Sequence, residues 1–207
     1  MPAMTNRQES INPAALAFGG FALTTFLLSC VNAGFIGIGF LPVVVSVAWF
    51  FGGITQVIVS IWEIAHDRLF PAVVFGTYGA FWISFAILQT FYVAKIPTSM
   101  AGSANALFLG VWCVITLYFL VGAFRTNIAL VIAFILVEVM LIPLIIGFAT
   151  GNVGAITLGG WAGIGLAVEV WYIAAAELIN YQFGRTILPL GHLARESTTK
   201  VDAVPTV

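Results

Sequence analysis

The chain is 207 residues long, 61% hydrophobic and only 7% charged, with a formal net charge of −1 at pH 7. So few charges in so much apolar sequence exclude an ordinary soluble domain, and the absence of a basic run argues against a nucleic-acid surface. The length is used almost entirely by apolar blocks, which leaves no room for a second soluble domain.

Those blocks run over residues 13–34, 41–62, 71–93, 104–124, 128–149 and 155–179. Each is near the ~20 residues that a helix rising ~1.5 Å per residue needs to cross ~30 Å of hydrocarbon. Lipid offers the backbone no hydrogen bonds, so the blocks are predicted to be helices, and the fold class is an all-α membrane protein with six transmembrane helices.

Residues 1–11 form a polar tail carrying Arg7 and Glu9, without the charged-then-apolar pattern of a removable leader. Short turns are expected at 35–40, 67–70, 125–127 and 150–154, which pairs neighbouring helices as hairpins. Residues 94–103, with Lys95, Pro97 and Gly102, read as the one sizeable loop. After residue 179 the chain passes through Asn180, Gly184, Arg185 and Pro189 into a second polar tail at 192–207. Residues 12–191 then form the transmembrane domain. With an even number of spans, Arg7, Arg68, Arg125, Arg185, Arg195 and Lys200 share one side and Lys95 lies alone on the other. That bias places both termini in the cytoplasm.

Gly19, Gly20, Gly52, Gly53, Gly159, Gly160, Gly163 and Gly165 lie in or at the ends of spans. Gly159 and Gly163 have the small-xxx-small spacing that lets helices approach closely. Cys30 and Cys113 read as small apolar residues, and His66 and His192 lie outside the spans. No metal-ligand spacing, cofactor motif or catalytic set is present in the sequence.

Polar residues within the spans mark candidate sites. In the first block Thr24, Thr25, Leu28 and Asn32 follow Phe21 at helical offsets, giving a mixed aromatic and polar stripe. It suits the wall of a path for a small anion; the threonines would equally satisfy themselves by bonding back to their own helix. In the third block Tyr78, Trp82, Phe85 and Gln89 make a similar stripe, which packing alone would explain. Gln56 follows Gly52 and Gly53 and either serves a cavity or bridges two helices. Glu138 and Glu169 fall mid-span, where an ionised carboxylate costs about 2.5–3.5 kcal/mol on insertion scales. They are the proton-coupling candidates, against the alternative of a neutral acid bonded to a neighbouring helix. Glu63 and Glu177 lie near span ends, within reach of Arg68 or Arg185.

Several runs resemble the succinate–acetate permease family, also called acetate uptake transporters. They are Asn12-Pro13-Ala14-Ala15-Leu16, Gly20-Phe21-Ala22-Leu23-Thr24-Thr25, Asn32-Ala33-Gly34, Phe51-Gly52-Gly53-Ile54-Thr55-Gln56, Trp62-Glu63, Tyr78-Gly79-Ala80-Phe81-Trp82 and the stretch from Gln182 to Gly191. The resemblance implies a homohexamer in the cell membrane, each protomer carrying its own path for acetate and related small carboxylates. It also implies a narrowing at Phe21, Tyr78 and, by ungapped alignment of the fifth spans, Val137. Ala15 and Ala17 depart from the family's proline and glycine, Val137 from its leucine, and Glu138 and Glu169 from small residues.

The expected function is transport of acetate or a similar carboxylate, succinate included, coupled to a proton; the expected partners are the carboxylate, the proton, the lipid bilayer and further copies of the chain. The turn at Asn12 and the first helix end would attract the carboxylate, and Thr24, Thr25 and Asn32 would replace part of its water. Phe21, Tyr78 and Val137 would exclude hydrated inorganic ions. Glu138 would carry the proton or deter dianions. A passive channel of the same fold needs the same lining, and an ammonium exporter or acetate-responsive signalling protein is the reading from another class.

Overall fold

The computed structural model describes residues 11–193. It contains six long apolar helices: α1 Ala14–Asn32, α2 Ile38–Ala65, α3 Leu69–Lys95, α4 Thr98–Ala123, α5 Ile128–Thr150 and α6 Val153–Phe183. All six are long and apolar enough to span a bilayer, and the chain is an integral, multi-pass membrane protein.

Helix boundaries follow local chemistry. Asn127 caps α5, its Oδ1 accepting from Leu130 N at 2.8 Å, and Asn152 caps α6 by accepting from Ala155 N at 3.1 Å. α6 stops at Gly184, whose φ of 59° a residue with a Cβ adopts only under strain. The loop expected over 94–103 shrinks to two residues, because short 3₁₀ turns at Val93–Lys95 and Thr98–Met100 prolong the helices on either side. Polar residues at span ends read as loop in the sequence, yet helix geometry continues through them.

The helices make a ring. α1 packs mainly on α6, α6 on α5 and α5 on α4, while α2 packs on α3 and on α1. α3 closes the ring against α4 through stacked Phe81 and Phe108 (centroids 5.6 Å apart) and edge-on Phe81 and Trp112 (5.1 Å). Glycines set the close approaches. A Cβ on Gly20 would run into Phe51 O of α2, and one on Gly160 into the backbone of Asn32 and Ala33 at the end of α1. Both obstacles are backbone, so neither can swing aside.

α2 is not uniform. Phe50–Ile54 forms a π-helical segment, as does Leu88–Tyr92 in α3. Such segments loosen the regular hydrogen-bond ladder and recur at functional sites. In α2 the Gln56 side chain donates to Gly52 O at 2.6 Å within that segment.

Residues 184–193 turn back along the bundle. Asn180 Oδ1 accepts from Ile187 N and Leu188 N (2.7 and 2.9 Å), Tyr172 Oη donates to Pro189 O at 2.7 Å, and Leu190 is buried. The start of α5 completes the dock, Ile128 N donating to Gly191 O at 2.9 Å and Leu193 N to Thr126 O at 3.1 Å. His192 and Leu193, placed in the second tail by sequence, belong to this docked stretch. The remainder of both expected tails, residues 1–10 and 194–207, lies outside the described residues.

Candidate functional site: cavities in series along the ring axis

Three small cavities line up inside the ring. One of about 30 Å³ is walled by residues such as Phe18, Gln56, Phe75, Leu130 and Val170, near where α1 begins. The next, about 40 Å³, is walled by Thr25, Leu28, Ser29, Asn32, Trp82 and Met140 among others. The third, about 200 Å³, includes Asn32, Phe85, Gln89 and Asn105 and lies toward the end of α1. Each exceeds the ~10–15 Å³ that a single water requires.

The first two cavities share only Phe21, Tyr78 and Val137. These residues come from α1, α3 and α5, and all are buried. The Phe21 and Tyr78 rings meet edge-on with centroids 5.1 Å apart, and Phe119 and Phe134 pack behind Tyr78. The second and third cavities share Leu28, Asn32, Phe81, Leu109 and Leu144. The arrangement is three neighbouring cavities, with the apolar trio Phe21, Tyr78 and Val137 between the first two.

The first-span residues divide by direction. At 100° per residue, Thr25, Leu28 and Asn32 lie within ~40° of Phe21, whereas Thr24 lies ~60° to one side. Phe21, Thr25, Leu28 and Asn32 line the second cavity. Thr24 does not: it is fully buried, donates to Gly20 O at 2.9 Å, and sits where a Cβ on Gly52 of α2 would fall. Ser29, absent from the expected set, lines the cavity in its place. Gln56 reaches the first cavity.

In α3 the aromatic stripe is part of the wall. Tyr78 and Trp82 face the second cavity, and Phe85 and Gln89 the third. The Tyr78 hydroxyl meets Thr116 Oγ1 of α4 at 2.8 Å, and Thr116 in turn donates to Trp112 O at 2.9 Å. Thr116 carried no sequence signal, because a mid-span threonine normally bonds back to its own helix. Only the tertiary contact gives it a second partner.

The two mid-span carboxylates stand apart from the path. Glu138 follows Val137, so its side chain points ~100° away. It lies between α5 and α4, 8% exposed, where Cys113 Sγ donates to Oε2 at 2.8 Å and Oε1 has no partner. Glu169 is partly exposed, and neither residue lines any of the three cavities.

Asn12 belongs to a polar cluster at the end of the bundle. Arg68 pairs with buried Glu63 through Nε at 2.6 Å and Nη2 at 3.1 Å. Its Nη2 also reaches Asn12 Oδ1 at 3.4 Å, and Asn12 Nδ2 donates to Glu177 Oε2 at 3.2 Å. The Arg68 guanidinium lies over the Trp62 ring, 4.9 Å from its centroid. This cluster ties the starts of α1 and α3 to the end of α2 and to α6.

A ring of six spanning helices enclosing a series of small cavities defines a multi-pass membrane protein. Residues 2–195 match the model of the GPR1/FUN34/yaaH family, and the chain belongs to that family. It is 32% identical to the succinate-acetate/proton symporter SatP of Escherichia coli K12, over 87% of this chain and 95% of that one. It is 36% identical to ammonia transport outward protein 2 of Saccharomyces cerevisiae, over 83% of this chain and 62% of that one. A solved structure of the bacterial acetate channel SatP superposes with a TM-score of 0.81 at 30% identity, covering 87% of this chain and 99% of that chain.

Proposed function

We propose that the chain passes acetate or a closely related short-chain carboxylate through each protomer, along the axis of its own six helices. The observation that carries this reading is the meeting of two cavities at Phe21, Tyr78 and Val137 alone. An apolar collar opposes hydrated inorganic ions, which lose water there without replacement, and favours a solute with an apolar methyl or methylene end. Thr25, Ser29 and Asn32 supply polar groups on one side of the collar and Gln56 on the other. Among the described residues no charged side chain lines the three cavities, which favours a monoanion or neutral acid over a dianion such as succinate.

Both termini face the cytoplasm in this reading, from the clustering of basic residues at one end, and the membrane is the cell membrane. Copies assemble as the homohexamer that the family resemblance implies; the exposed row Ile54, Ile58 and Ile61 on α2 offers an apolar face for such contact. Light scattering of the detergent-solubilised protein tests the number of copies.

A second reading adds a proton, carried by Glu138, and rests on that carboxyl being buried with one oxygen unpartnered beside the collar. Ammonia export, named for the yeast relative, is less well supported, since neither histidine of the chain lines the path. The test is uptake of labelled acetate into liposomes holding the purified protein, with and without an inward proton gradient. Equilibration alone supports passive passage, accumulation supports proton coupling and makes Glu138 and Glu169 the residues to neutralise next, and absence of acetate flux overturns the proposal.

A further inference from the structure

We infer that Thr116 of α4 is a positioning residue for the collar, fixing the Tyr78 ring from behind and so setting which carboxylates pass; this rests on the carboxylate-transport reading. Tyr78 is buried and lines both cavities that meet at the collar. Its hydroxyl lies 2.8 Å from Thr116 Oγ1. Thr116 is wholly buried and lines none of the three cavities, so it acts only through its neighbour. The direction of the bond follows from the partners. Thr116 has one hydroxyl proton, and it goes to Trp112 O at 2.9 Å, a group that can only accept. Tyr78 is therefore the donor and Thr116 the acceptor. Thr24, Thr90 and Thr150 bond back in the same way, to Gly20 O, Ala86 O and Ile146 O, and among the described residues none of them receives a side-chain donor. Thr116 is set apart by the tyrosine aimed at it from another helix.

What the bond controls is the swing of a ring. Phe21 meets the Tyr78 ring at 5.1 Å, and Phe119 and Phe134 flank it at 5.9 and 6.4 Å. Each of those contacts changes little when the ring tilts, because dispersion is weak per atom and tolerant of angle. The hydroxyl bond is directional, and it sits at the end of the side chain farthest from the backbone, where a small rotation moves the ring most. α3 and α4 otherwise meet through aromatic contacts such as Phe81 with Phe108 and Trp112. Among the described residues the Tyr78–Thr116 bond is the one side-chain hydrogen bond between these two helices. Deprived of its acceptor, a buried phenol hydroxyl must turn toward another partner, and it carries the ring with it. The collar then loses its fixed width and discriminates less by the length of the alkyl end.

The test measures, in liposomes holding the full chain, the ratio of labelled acetate flux to labelled butyrate flux. T116V keeps the side-chain shape and removes the acceptor, and is expected to lower that ratio about fivefold, the equivalent of one ordinary hydrogen bond. T116S is expected to keep the ratio of the unaltered protein. Y78F is expected to lower it as T116V does, and the double variant to lower it no further than either. In detergent, the ¹³Cζ resonance of Tyr78, assigned by its loss in Y78F, is expected to move upfield in T116V. An unchanged ratio in T116V overturns the proposal, as does a T116S that behaves like T116V or a double variant in which the two losses multiply. If T116V does not fold, Y78F decides in its place, and an unchanged ratio there overturns the proposal. If the unaltered protein passes neither acid, the transport reading falls, and the Tyr78 resonance judges the tether separately: unmoved in T116V, it overturns the tether as well.

Discussion

Truncating Val137 to alanine probes the collar with the least chemical change. Val137 is 4% exposed and, with Phe21 and Tyr78, lines both of the neighbouring cavities of about 30 and 40 Å³. Removing its two methyl groups opens space between them. In a soluble core each lost methylene costs about 0.5–1.5 kcal/mol. In a bilayer the hydrophobic transfer contribution largely vanishes and lost packing remains, so about 1 kcal/mol in total is expected. The protein should stay folded, with melting lowered by only a few degrees. Function should change more than stability. The assay is inhibition of labelled acetate flux by unbranched monocarboxylates of increasing length. V137A is expected to shift the longest effective competitor upward by at least one methylene, and V137L to shift it downward. An identical length limit in V137A, V137L and the unaltered protein would refute the assignment of the collar as the selecting element.

G160A places a methyl group into the Asn32–Ala33 backbone, so it is expected to cost roughly 1–3 kcal/mol of overpacking and to lower the melting temperature of the purified protein more than V137A does. R68A strands the buried Glu63 carboxylate; breaking such a pair costs up to about 3–5 kcal/mol, less here because Arg68 is 35% exposed, and the double variant with E63Q should recover part of the loss in thermal melting. N127A removes the α5 cap to Leu130 N and should cost about 1 kcal/mol, read as faster amide exchange in the first turn of α5. Under passive passage, E138Q keeps acetate equilibration unchanged, because Glu138 lines none of the cavities; loss of acetate-driven proton movement in E138Q would establish the coupled reading.

The six helices were legible because each is an unbroken apolar run of spanning length, and lipid permits no other backbone solution for such a run. Their ends were less so. Lys95 and Pro97 look like loop residues, but short 3₁₀ turns carry the helices almost to meet. His192 and Leu193 read as polar tail because the anchor that holds them, Leu193 N to Thr126 O, is tertiary and uses a backbone oxygen that sequence does not distinguish. Around the cavities, periodicity located the α1 face, the family motifs pointed to Phe21 and Tyr78, and the ungapped alignment of the fifth spans pointed to Val137; the fold brings the three together from three helices. Periodicity did not separate Thr24 from Thr25, since they lie about 60° and 40° to opposite sides of Phe21 and only the packing of the neighbouring helices decides which one meets the cavity. Trp82 was visible as part of an aromatic stripe, but packing explains such stripes equally well; its unpartnered nitrogen is apparent only in three dimensions. Glu138 drew notice as a costly mid-span charge, and one residue of helical rotation separates it from the path.

The most direct test places a single cysteine at the collar. V137C, with Cys30 and Cys113 replaced by alanine, is treated in liposomes with a small charged methanethiosulfonate while labelled acetate flux is followed. If the carboxylate crosses between Phe21, Tyr78 and residue 137, modification should abolish flux, and excess acetate should slow the modification. Flux that persists after complete modification, verified by mass, would place the route outside the collar and contradict the account.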